Sequence, residues 1–130
     1  MELKDMDACF ACGRENPHGL RLEFRFEGDE YVTEFTPRDE HQGWAGIIHG
    51  GLTATLLDEV MTRMCWEQGL NVATARLEVR YHKPIPVGRK TVTRGRIRRR
   101  RGRFVEAAAE VYLEDGSVAA SGTGLFLAAR

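Results

Sequence analysis

Gly46-Ile47-Ile48-His49-Gly50-Gly51-Leu52-Thr53-Ala54-Thr55-Leu56-Leu57-Asp58-Glu59-Val60-Met61 is the stretch on which the reading of this chain turns. From Leu52 to about Gln68, the residues Leu52, Leu56, Leu57, Val60, Met61, Met64 and Cys65 add up to one broad apolar face at helical spacing. Gly69 follows where a helix C-cap uses glycine. A glycine pair opens the segment, and Asp58-Glu59 interrupts it further along. The pattern puts backbone N–H donors at a helix start and a carboxylate on the same helix. Donors that polarise a carbonyl, and a carboxylate that attacks it or activates water, are the parts of acyl chemistry.

The two acids do not read alike. At about 100° per residue, Asp58 falls at the edge of the apolar face, on the side of Gly51, Ala54 and Thr62. Glu59 turns further round, toward Thr55 and Trp66, with Arg63 one turn on as a surface ion-pair partner. An acid at the border of an apolar face is desolvated, which raises its pKa toward that of a useful base. Asp58 is therefore the expected chemical group and Glu59 a solvated one. The glycines have two readings: relief of crowding against a strand, or access for a substrate carbonyl to exposed N–H groups. His49 is equally open, as a structural histidine or a substrate contact.

Outward from the helix the pattern is β. Leu20, Leu22, Phe24 and Phe26 alternate with polar residues, predicting a half-buried strand. Residues 31–36 predict a second strand, stopped by Pro37, and residues 37–48 a loop. Residues 73–81, 90–100, 103–113 and 117–127 predict four more, with turns at Arg101-Gly102 and Asp115-Gly116. Residues 1–19 read as an irregular lead-in, and the whole chain, residues 1–130, as one domain. One helix for about six strands means an α+β class, an antiparallel sheet wrapped on a central helix. The uncovered face of such a sheet calls for a second subunit.

Composition narrows the function classes. The chain has 130 residues, 42% hydrophobic and 29% charged, with net charge zero. No global field selects nucleic acid or a membrane surface, and no apolar run reaches the ~20 residues of a span. The N-terminal residues lack a signal-peptide core, and three cysteines fit a reducing compartment, so a cytoplasmic setting is expected.

The stretch His49-Gly50-Gly51-Leu52-Thr53-Ala54-Thr55-Leu56-Leu57-Asp58-Glu59 resembles the signature of hotdog-fold acyl-CoA thioesterases, in the phenylacetate-pathway-like branch. The strand–strand–helix–four-strand order matches that fold as well. The resemblance implies an acyl-CoA substrate, no cofactor, and Asp58 as catalytic base or nucleophile. It places the thioester oxygen on the Gly51 amide and an assisting Gln near the position of Gln42, which stands one residue out of register. It puts Thr74 where one branch has a water-orienting Ser, and His49 in the pocket wall. It further implies a homodimer or homotetramer with sites at the subunit interface. Met61, Met64 and Trp66 are near enough to contribute to an acyl pocket, with core packing as the alternative for the methionines.

Three other features compete for a role. Cys9-Phe10-Ala11-Cys12 has metal-ligand spacing but lacks a second cysteine pair; reduced structural thiols, a metal site and redox chemistry all remain as readings, with no metal site expected. The arginine run from Arg94 to Arg103 reads as a solvated strand face or as an anchor for coenzyme A phosphates. It lacks the interleaved aromatics and overall basic charge of a nucleic-acid surface. Asn16-Pro17-His18 bears a superficial likeness to a hydratase motif but lacks its spacing.

Overall fold

Two short strands lead into the helix and four long ones follow it, in the computed structural model, which describes residues 2–129. The elements are β1 (Phe24–Glu27), β2 (Glu30–Phe35), a 3-10 turn (Asp39–His41), α1 (Gly50–Glu67), β3 (Val72–Tyr81), β4 (Thr91–Arg101), β5 (Phe104–Tyr112) and β6 (Val118–Ala128). They form one antiparallel six-stranded sheet in the order β1-β2-β4-β5-β6-β3. After β2 the chain passes through α1 and returns as β3 on the far edge. The helix thus crosses the concave face of the sheet, as the helix-in-sheet expectation requires.

The helix is held by the face read from its periodicity. Leu56, Leu57, Val60, Met61, Met64 and Cys65 are all fully buried, each large one contributing about 1.5–3 kcal/mol relative to exposure. Opposite them the sheet presents small residues, Ala107, Ala109, Ala119 and Ala120, and two glycines that decide how closely the helix lies. A Cβ on Gly95 would sit 3.0 Å from Val60 Cγ1, and one on Gly122 would sit 3.3 Å from Leu57 Cδ1. The helix packs where a larger side chain would push it off.

The first predicted strand is shorter than the alternation suggested. Leu20 and Leu22 are buried as expected, yet β1 begins only at Phe24. Their backbones bond the lead-in, Leu20 N–H to the Phe10 carbonyl at 2.8 Å and Leu22 N–H to the Ala11 carbonyl at 2.9 Å. The lead-in is thereby tied to the core, with Ala11 inside it. Among the described residues, no helix is long and apolar enough to cross a membrane.

Candidate functional site

Asp58 lies half-buried on α1 and accepts a hydrogen bond from Thr74 Oγ1 at 2.8 Å, the hydroxyl coming from the start of β3. Burial pushes the Asp58 carboxyl above the ordinary range, and the Thr74 hydroxyl partly offsets this. The pair expected from the sequence is therefore brought together. A carboxylate base with a raised pKa and one fixed hydroxyl is equipped to take a proton from water.

The helix start is built differently from the expectation. His49 is the N-cap, and its Nδ1 accepts the Gly51 N–H at 2.9 Å. An Nδ1 that accepts leaves Nε2 as the nitrogen of this ring that can donate. The Gly51 amide, expected as the oxyanion donor, is thus already engaged by the side chain two residues before it. Leu52 and Thr53 N–H groups both turn to the His49 carbonyl. That leaves the Gly50 N–H as the amide of the first turn with no acceptor among the described residues.

Two residues that the sequence did not flag shape this end. Tyr81, at the end of β3, donates its hydroxyl to the Gly50 carbonyl at 2.7 Å, pinning the helix start to the sheet edge. His41, buried beside Phe35, accepts the His49 N–H through its carbonyl at 2.8 Å. Its Nδ1 accepts the Arg38 N–H at 2.9 Å, and burial lowers its pKa. Gln42 is exposed, and its Oε1 accepts the Gly46 N–H at 2.9 Å, closing the loop ahead of the signature and leaving its amide nitrogen without a partner among the described residues. Gln42, His41 and His49 line one open cavity of about 670 Å³.

Glu59 departs from its expected place on the solvated surface. It is half-buried against the lead-in, where the Cys9 thiol donates to its Oε1 at 3.7 Å. Burial raises its carboxyl above the ordinary range, with the two thiols pulling the other way. Arg63 does not pair with it, reaching Asp5 at 3.2 Å and Glu67 at 3.7 Å instead. The lead-in folds over this flank of the helix, so the side opposite the main sheet is not free of protein.

Three arginines of the run are neutralised on their own sheet. Arg94 pairs with Glu27 at 2.8 Å, Arg96 holds Glu110 through both guanidinium arms at 2.8 and 2.9 Å, and Arg99 meets Glu106 at 2.9 Å. The solvated-face reading accounts for these three. Arg98, Arg100 and Arg101 are exposed and have no carboxylate partner among the described residues.

Comparison with known proteins agrees with this architecture. The family model of the thioesterase superfamily matches residues 45–120, the span from the signature loop into β6. Mouse acyl-coenzyme A thioesterase 13 is 32% identical over 66 residues, 49% of this chain and 47% of that protein. The chain spans about half the length of the curated relatives it matches. A crystal structure of a thioesterase superfamily protein superposes with a TM-score of 0.87 at 30% identity, covering 93% of this chain and 63% of that one. The Escherichia coli PaaI protein of the phenylacetic acid degradation operon shares the fold at a TM-score of 0.79 and 16% identity, over 85% of this chain and 81% of its own. A six-stranded antiparallel sheet around one long helix, with the signature at that helix's start, places this chain in the thioesterase superfamily, in its hotdog fold.

Proposed function

We propose that the protein hydrolyses an acyl-CoA thioester, with Asp58 as general base on water or as direct nucleophile. The observation that carries this reading is the half-buried Asp58, raised in pKa and fixed by the Thr74 hydroxyl, on a helix whose first turn keeps one N–H unspent. The Gly50 amide takes the oxyanion role expected of Gly51, because the Gly51 N–H is held by His49. His49, through its Nε2, and the unpartnered amide of Gln42 complete the donor side.

One chain does not close this site by itself. Gly50 and Asp58 are about 12 Å apart along the helix axis, at about 1.5 Å per residue. A base and an oxyanion donor serving one carbonyl each stand about 3 Å from it. The working site thus joins the Asp58–Thr74 half of one subunit to the His49–Gly50 half of another. β3 supports such pairing: it is a ten-residue strand on the sheet edge, and a long open edge is a ready template for a second copy. A homodimer, or a pair of dimers, follows.

Gly50→Pro tests the donor alone. Proline suits the first helical position, and His49 at φ −62 and ψ 132 already has the backbone a following proline wants. The substitution removes the N–H and is expected to lower kcat by about 10²–10³-fold. Asp58→Asn should be comparably inactive. Co-expressed in one cell, the two variants form mixed dimers in which one site is intact, and about a quarter of wild-type turnover returns. Two dead variants that stay dead when mixed would sink the two-chain site. An Asp58→Asn enzyme with wild-type kcat across an acyl-CoA panel would sink the hydrolase reading.

A further inference from the structure

We propose that Cys9, Cys12 and Glu59 form a binding site for one thiophilic divalent cation, Zn²⁺ by its chemistry, beside the catalytic helix. The ligand atoms of the three residues lie within 4.8 Å of one another. In a tetrahedral zinc site with Zn–S near 2.3 Å and Zn–O near 2.0–2.2 Å, ligand atoms stand roughly 3.5–3.8 Å apart. The Cys9 sulfur and Glu59 Oε1 are already at 3.7 Å. That separation also matches the edge of a metal tetrahedron. The third corner, the Cys12 sulfur, lies within 4.8 Å of both.

The lead-in is shaped to present both sulfurs. Gly13 N–H bonds the Cys9 carbonyl at 2.9 Å, and a Cβ on Gly13 would stand 2.4 Å from the Cys9 nitrogen. Only glycine permits a turn this tight. The Ala11 N–H points at Cys9 Sγ at 3.3 Å, a donor that stabilises a thiolate and does little for a thiol. The turn is itself anchored, through the bonds of Leu20 and Leu22 to Phe10 and Ala11. Glu59 then arrives from a rigid helix. Without a cation it is a half-buried carboxylate facing two sulfurs, its neighbouring Arg63 committed elsewhere.

Three protein ligands leave a fourth position. Beside the cluster lies a cavity of about 220 Å³ whose wall includes Thr62, Arg63 and Trp66. The Thr62 hydroxyl is buried with no partner among the described residues, one turn along the helix from Glu59. A metal-bound water in the fourth place would supply it. His18 lines the cavity on the Gln42 side and stands outside the cluster. The cation would fasten the lead-in to the turn of α1 that carries Asp58, so its role is to hold that turn rather than to enter the hydrolysis.

The test is titration of the reduced, metal-stripped full chain with Co²⁺ under inert gas. The expected result is about one equivalent bound per chain, with sulfur-to-cobalt charge-transfer bands in the near ultraviolet and intense visible bands of tetrahedral Co²⁺. Zn²⁺ should bleach both. Glu59→Gln, which keeps both sulfurs and the fold, should weaken binding by at least about tenfold while retaining the charge-transfer bands. Cys9→Ser should abolish them, and His18→Ala should leave them unchanged. A wild-type chain that shows no cobalt–thiolate bands overturns the site whatever the variants do. So does a Cys9→Ser spectrum equal to that of wild type.

Discussion

Asp58 and Glu59 are adjacent on one helix, both half-buried, and both raised in pKa by burial, yet they face different chemistry. Asp58 meets a single hydroxyl, from a strand at the open edge of the sheet. Glu59 meets two sulfurs, from a lead-in that closes over it. A step of about 100° around the helix therefore separates a carboxylate that faces a strand hydroxyl from one that faces the thiols of the lead-in. Burial alone does not distinguish them, since both carboxyls are shifted in the same direction. What distinguishes them is the donor each one faces.

The sharpest way to break the comparison is Asp58→Asn. Turnover on the best acyl-CoA should fall by about 10²–10⁴-fold, while the melting temperature at neutral pH should hold or rise. The sign follows from linkage. A carboxyl raised in the folded state binds its proton more tightly there than in the unfolded chain. Its contribution to stability therefore declines as pH rises from the ordinary carboxylate range through the raised value, and the full penalty is present above it. Asn removes the charge and still accepts from Thr74. A variant that loses both activity and several degrees of stability would mean that Asp58 serves the fold instead.

Thr74→Val is expected to act less strongly, by roughly tenfold in kcat, through loss of positioning. Its diagnostic is the pH profile. In the wild type, kcat should fall as pH drops through the raised Asp58 value, because only the carboxylate can accept a proton. The Thr74 hydroxyl bonds the charged form and lowers that value, so its removal should move the acid limb upward. A limb that stays in place while kcat falls would assign Thr74 to substrate contact and not to Asp58.

Much of the fold was legible before any coordinates, because its signals are local. The helix face from Leu56 to Cys65 is periodic, and Gly28, Gly69, Gly102 and Gly116 mark turns or a cap where φ is positive. Strand order follows from hairpins for β4, β5 and β6, but the move of β3 to the far edge is a long-range choice. The helix start was read two residues late for a similar reason. Histidine is not a preferred N-cap, so the helix was read from Leu52 and begins at Gly50. Once His49 caps with its side chain, it takes the second amide and leaves the first. Glu59 was misjudged because its neighbours come from 50 residues away, through the Cys9 contact. A helical wheel shows which side a residue faces and not which distant segment folds over that side.

Arg63 offers the mildest and most specific check on that last point. If Glu59 were a surface acid paired with Arg63, removing the arginine would unpair it and alter its titration. In the structure Arg63 spans Asp5 and Glu67 and lies 5.9 Å from the Trp66 ring centre, all on the partly solvated flank of α1. Surface pairs of this kind contribute about 0–1 kcal/mol. Arg63→Met keeps the aliphatic stem against Trp66 and should lower stability by less than about 1 kcal/mol in denaturant unfolding. Acyl-CoA turnover should stay at the wild-type level, since no contact of Arg63 reaches the Asp58–Thr74 pair. A Glu59 titration that shifts upward in Arg63→Met would restore the ion pair that the sequence suggested.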